Sequence, residues 1–187
     1  RRTGAMVSAR LSLEVLNHFA HLFRSLKFDV VTSSEYRGDD YTEVITKIHD
    51  PKQAIVDPAM FGKRGKANSY AARRMGLTQP VTDDIEALFI MAGDDPECDL
   101  TSRIHPNVEF LAVQCAYLNE CLALADVILP AVTWLEEAGE YENLMGERYY
   151  KTAYLKPPKG IPSNSEFLDM LVKEEYDLLQ KEGRLIL

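Results

Sequence analysis

Three short, mostly apolar runs constrain this chain more than anything else in it. They are residues 87–92 (Ala-Leu-Phe-Ile-Met-Ala), 108–114 (Val-Glu-Phe-Leu-Ala-Val-Gln) and 127–130 (Val-Ile-Leu-Pro), which begin about 20 residues apart. Each breaks into a polar stretch rich in turn residues: Gly93-Asp94-Asp95-Pro96, then Gln114-Cys115-Ala116, then everything after Pro130. Strands apolar along their whole length are buried on both faces, and such strands belong to parallel sheets covered by helices. A helical stretch over 116–125 between the second and third runs gives a strand–helix–strand rhythm with right-handed crossovers. The expected fold is therefore α/β: an open, doubly wound, mostly parallel, Rossmann-like sheet. In such sheets the loops at the carboxyl ends of the strands line one crevice.

The flanking segments fit that plan. Residues 10–28 carry Leu11, Leu13, Val15, Leu16, Phe19, Leu22, Phe23 and Leu26 at helical spacing. Residues 28–32 read as a strand, 41–49 as a short helix capped by Asp40 and ended at Asp50-Pro51, and 53–56 as a strand. Residues 67–75 read as a helix stopped by Gly76. Residues 148–154 read as an edge strand, 157–164 as a Pro-rich linker, and 166–181 as a final helix capped by Ser163 or Ser165. Its apolar stripe is Phe167, Leu168, Leu171, Val172, Tyr176 and Leu179. This gives a domain over 1–156, a linker over 157–164 and a terminal helical part over 165–187.

At 187 residues and net charge −8, the chain suits one domain and lacks the basic face a nucleic-acid binder needs. No apolar run approaches the roughly 20 residues of a membrane helix. Cys98, Cys115 and Cys121 form no CxxC, so they read as reduced structural thiols rather than metal or cluster ligands. Cys115, at a strand end, is the one candidate nucleophile, and packing is its expected role. His18 and His21 lie three apart on a helix without a third ligand and read as solvated. The cations Lys63, Arg64, Lys66, Arg73 and Arg74 read as a solvated run, with a phosphate or an acidic partner as the sharper alternative. Asp94 and Asp95 read as turn acids. Glu136 and Glu137 are an acid/base candidate better explained as helix-start or partner-facing acids. Trp134 reads as a packing anchor. There is no P-loop, no GxGxxG after a strand and no GxSxG elbow. No catalytic residue and no metal ligand is assigned.

Residues 125–150, ADVILPAVTWLEEAGEYENLMGERYY, carry a resemblance. They are similar to the strand-loop signature of the molybdopterin oxidoreductase superfamily, A-D-V-V-L-P, then E, then G-T-[FY]-x-N-x-E-G-R. Ala125, Asp126, Val127, Leu129 and Pro130 match the strand; Glu136 or Glu137 matches the acid; Gly139, Tyr141, Asn143 and Gly146 match the turn. Residues 85–94 and 108–114 resemble the two strands before it, and the resemblance spans residues 67–155. The sequence departs at Met145, at Glu147 (with Arg148 one place late) and at Glu140. The resemblance extends to formate dehydrogenases and to the 75 kDa iron–sulfur subunit of respiratory complex I, whose C-terminal part has this fold without a molybdenum cofactor.

That resemblance implies a cofactor-free structural lobe in the peripheral arm of NADH:ubiquinone oxidoreductase, supporting electron transport in the respiratory chain without its own redox centre. Glu136, Gly139, Asn143 and Gly146 would be vestiges of a pterin loop. Iron–sulfur clusters and FMN would sit in partner chains, chiefly the cluster-bearing part of the large subunit. Its place would be the matrix side of the mitochondrial inner membrane, or the cytoplasmic face of a bacterial one. The alternative it implies is the cofactor-binding part of a formate dehydrogenase-like molybdopterin oxidoreductase.

Overall fold

A computed structural model of the chain describes residues 3–26, 29–32, 68–77, 84–95, 107–118, 120–143 and 146–181. Five strands, β1 (Thr3–Val7), β2 (Asp29–Thr32), β3 (Ala87–Gly93), β4 (Phe110–Cys115) and β5 (Val127–Pro130), form one sheet in the order β2-β1-β3-β4-β5. Every pairing is parallel. The α/β sheet read from the three apolar runs is present, but the third run is corrected: β5 ends the strand order and is not buried on both faces, with Val127 38% and Ile128 50% exposed.

β1 is a strand of this sheet that the sequence reading missed. Thr-Gly-Ala-Met-Val has too little β-branched or alternating character to stand out. It is a strand because it is sandwiched: Ala5 pairs with Val30 on one side and Phe89 on the other. The helix expected over 41–49 and the strand over 53–56 lie outside the described residues.

Register sorts the core. Ala5, Phe89, Ala112 and Val127 are in line across the sheet, so they share a face. That face carries α1 (Leu13–Ser25) and α3 (Asn164–Lys181), whose Phe19, Phe23, Phe167 and Leu168 pack with Val7 and Met91. A column of rings joins the layers: Phe19–Phe23 at 4.5 Å, Phe23–Phe89 at 5.4 Å and Phe89–Phe167 at 6.1 Å. Each such ring, removed from water, contributes about 1.5–3 kcal/mol. The other face buries Met6, Leu88, Ile90, Leu111 and Val113, with Ile85, Cys115 and Leu122 beside them. Cys115 is thus a core thiol, as expected.

α1 starts at its N-cap Ser12, whose Oγ accepts the Val15 N–H at 3.3 Å. α2 (Ser69–Arg74) ends before Gly76, which adopts φ +73° as a helix-stopping glycine does. α3 opens with a reciprocal box: Ser163 N–H donates to Glu166 Oε2, and Glu166 N–H donates to Ser163 Oγ. Those bonds hold the Glu166 carboxyl below its ordinary pKa. Val172 of the expected α3 stripe is exposed at 41%, while Phe167 and Leu168 are buried. Among the described residues no helix is long and apolar enough to cross a membrane.

Two expectations are corrected. The stretch between β4 and β5 is not an α-helix but a single 3-10 turn, Glu120–Leu124. About ten residues must leave β4 and return alongside it, which is too short for a full crossover helix. Residues 148–154 do not extend the main sheet. Arg148–Lys151 is β7, paired antiparallel with β6 (Gly139–Glu142) in a separate hairpin, Gly139 opposite Lys151.

That hairpin docks on α1 through Gly139. A Cβ there would lie 2.6 Å from Ser12 Cβ and 3.0 Å from its Oγ. Ser12 cannot yield without giving up its cap. Gly139→Ala is therefore expected to destabilise the fold by about 2–3 kcal/mol, from overpacking plus a weakened cap. Thermal unfolding of the variant checks this, and Ser12→Gly in the same chain should recover part of the loss.

Candidate functional site

The carboxyl ends of all the sheet's strands lie on one edge, and the chain's direction across the sheet reverses between β1 and β3. Ligands of open α/β sheets bind at such a reversal. Here it is bridged from within: Ser8 Oγ, just after β1, donates to Asp95 Oδ2 at 2.6 Å, just after β3. Both residues are buried, and Arg10 Nε stands 4.0 Å from Asp95 Oδ1. Asp94 accepts the Trp134 N–H at 2.8 Å, and burial pushes its carboxyl above the ordinary aspartate value. The two acids read from sequence as turn residues do form a turn, Asp95 N–H donating to Ala92 O at 3.2 Å, and they also tie three segments together.

Glu136 and Glu137 have separate roles. Glu136 Oε2 accepts from Thr133 N at 2.7 Å and Thr133 Oγ1 at 2.9 Å, closing its own turn. Glu137, 6% exposed, reaches the start of α3. Its Oε1 accepts the backbone N–H groups of Asn164 (2.8 Å) and Ser165 (3.4 Å), and its Oε2 accepts Asn164 Nδ2 at 2.6 Å. A carboxylate at a helix start satisfies donors that have no partner inside the helix. Burial nevertheless raises the Glu137 pKa, and the Asn164 and Ser165 hydrogen bonds only partly offset it.

Behind this acid lies a residue the sequence did not single out. Lys151 is 4% exposed. Its Nζ donates to the carbonyls of Trp134 (2.6 Å), Glu137 and Thr152 (3.3 Å), and sits 4.6 Å above the Trp134 ring. Three carbonyls fill the three ammonium donors. Burial lowers the Lys151 pKa, against the pull of Glu137 and Asp94. Trp134 meets Tyr141 edge-on at 6.2 Å and is 37% exposed, so it is a half-open packing anchor. Tyr141 is buried, and its phenol pKa is raised by burial and then by Glu137.

Elsewhere the residues singled out from sequence are held by their own neighbours. Asn143 Nδ2 donates to Glu147 Oε2 at 2.9 Å and Gly146 takes φ +81°, which shapes the hairpin turn. Arg74 and Arg148 both meet the buried carboxylate Glu142, Arg148 at 3.3 Å, so Arg74 binds an internal acid. Lys63, Arg64 and Lys66 lie outside the described residues. His18 is not simply solvated: its Nε2 is 3.8 Å from Asp169 of α3. Among the described residues no group of three His, Cys, Asp or Glu is placed to hold a metal ion.

An anionic dinucleotide needs a free helix start or a set of cations. α3's start is filled by Glu137. α1's start faces Gly139, and Glu14 in its first turn accepts the Glu140 N–H at 3.0 Å through both carboxylate oxygens. The described starts of α1 and α3 are therefore each met by a carboxylate of the chain itself, Glu14 and Glu137.

Comparison with known proteins shows the lineage. The molybdopterin oxidoreductase family matches residues 35–171. The chain belongs to the molybdopterin oxidoreductase family. It is 36% identical over 77 residues to an F420-dependent formate dehydrogenase subunit alpha of Methanocaldococcus jannaschii, covering 36% of this chain and 11% of that protein. It is 31% identical over 80 residues to an F420-dependent formate dehydrogenase 2 subunit alpha of Methanococcus maripaludis, covering 38% of this chain and 12% of that one. The chain thus spans only about an eighth of the length of these relatives. The molybdopterin oxidoreductase resemblance read from residues 125–150 holds at the level of the family.

Proposed function

We propose that this molybdopterin oxidoreductase chain is a scaffolding lobe of a formate dehydrogenase-like alpha subunit. Its described residues brace the cofactor-bearing part of the assembly without holding the cofactor themselves. The observation that carries the scaffold reading is Glu137, a buried carboxylate of this chain occupying the start of α3. Likeness to formate dehydrogenase alpha subunits, rather than to a respiratory complex I subunit, supports the choice of assembly. The second reading is a lobe of the 75 kDa-type subunit of complex I, with clusters and FMN in partner chains. It is favoured by the same self-filled helix starts, which suit a lobe with no cofactor of its own.

Metal analysis of the purified chain, with a fluorescence assay for oxidised pterin, tests the scaffold reading. The expected result is neither molybdenum, tungsten nor pterin in stoichiometric amount; one metal per chain would overturn it. The assembly that co-purifies with the chain from its source then distinguishes the two settings. Formate-dependent dye reduction supports the first, and NADH-dependent quinone reduction the second.

A further inference from the structure

The Glu137 contact continues inward as a line of side-chain amides with a fixed direction. Asn164 must turn its Nδ2 to the carboxylate, because a carboxylate only accepts. That leaves Asn164 Oδ1 facing inward, where it accepts Gln114 Nε2 at 2.9 Å. Gln114 is then oriented too: its Oε1 points onward, fully buried and with no hydrogen-bond partner among the described residues. A buried acceptor without a donor is costly and rare. Every amide orientation in the line follows from the charge on Glu137, and the cost collects at its far end, the carboxyl end of β4.

We propose that a proton on Glu137 reverses this relay and so switches the polarity that Gln114 presents at the carboxyl edge of the sheet. Oε1 of Glu137 already accepts two backbone N–H groups, so the proton enters on Oε2. There it meets Asn164 Nδ2, donor against donor at 2.6 Å. Rotating the Asn164 amide by half a turn lets Oδ1 accept the new O–H. Nδ2 then faces Gln114, whose amide rotates in turn, so that its formerly unpaired Oε1 accepts. The end of the line now offers an N–H in place of a C=O. No backbone atom moves. Proton uptake is thereby coupled to whether the sheet edge asks for a hydrogen-bond donor or supplies one.

The groups around Glu137 set where the switch operates. Lys151 of β7 holds its carbonyl and favours the charged form, as do the Asn164 and Ser165 hydrogen bonds of α3. Asp94 after β3, Tyr141 of β6 and Glu166 in the first turn of α3 are the other titrating groups nearby. Burial outweighs the bonds that favour charge and moves the titration upward.

The test is a pH titration of the nitrogen-15-labelled chain, following the side-chain amide signals of Asn164 and Gln114. Both are expected to shift with one shared midpoint, above the ordinary glutamate range. In Glu137→Gln, which imposes the reversed direction at every pH, both signals should sit at the acid-limit positions and not titrate. A titrating Asn164 beside a Gln114 that stays still would overturn the proposal, as would wild-type neutral-pH positions in Glu137→Gln. The wild-type titration decides without the variant if Glu137→Gln does not fold.

Discussion

Glu137→Ala is expected to cost about 3 kcal/mol of folding stability, and Glu137→Gln only about 1 kcal/mol, in urea or guanidinium unfolding. The alanine strands the N–H groups of Asn164 and Ser165 and the Asn164 amide, all at a buried helix start. Glutamine keeps an oxygen for the two backbone donors, and its amide nitrogen finds an acceptor once Asn164 and Gln114 rotate, which pairs Gln114 Oε1 and turns Nε2 to the far end of the line in its place. Equal losses in the two variants would mean that the charge, not the shape and direction of bonding, holds α3.

The pH dependence follows from the same residue. Burial raises the Glu137 pKa in the folded state, so the folded chain binds a proton at a higher pH than the unfolded chain does. Its contribution is fully present below the ordinary glutamate value and is lost as pH rises through the raised folded value. Asp94, also raised by burial, adds a slope of the same sign. Stability measured across that window should therefore fall less steeply with rising pH in Glu137→Gln than in the wild type.

Lys151→Met is expected to cost about 2–4 kcal/mol, because it leaves the carbonyls of Trp134, Glu137 and Thr152 without their shared donor inside the fold. Lys151→Arg should lose much of this too, since a planar fork cannot serve three carbonyls arranged around a compact ammonium. The chain has a single Trp, and the ammonium lies over its ring, so Trp134 emission reports the site directly. Unchanged emission and a loss under about 0.5 kcal/mol would show the clamp to be incidental.

Residues 125–150 show where sequence reasoning reached and where it stopped. The strand 127–130 was legible because three successive apolar residues ended by proline have few other uses. The segment after it reads as a glycine-punctuated loop, yet it is a turn followed by a hairpin. Gly139 begins a strand despite poor strand propensity, because only a residue without a Cβ fits against Ser12. Glu136 and Glu137 look alike in sequence and differ wholly in space, one bonding three residues away and the other reaching residue 164. Lys151 reads as one more surface cation, because lysine is almost never buried without partners.

Apolar periodicity and turn chemistry by themselves determined the parallel sheet, its helical cover, the glycine stop of α2, the capped start of α3 and the signature strand of the molybdopterin oxidoreductase family. These are local properties: a run of side chains sets its own burial, and a cap acts within four residues. Only the tertiary structure decided which carboxylates lie at the ligand edge and what they do there. The Ser8–Asp95 bridge spans 87 positions, and the Glu137–Asn164 contact 27. Such pairs leave no periodic trace, because hydrogen bonding across a fold depends on where chain ends converge, not on what stands next to a residue. They tie the carboxyl end of β1 to that of β3, and that of β4 to α3, through the protein's own side chains.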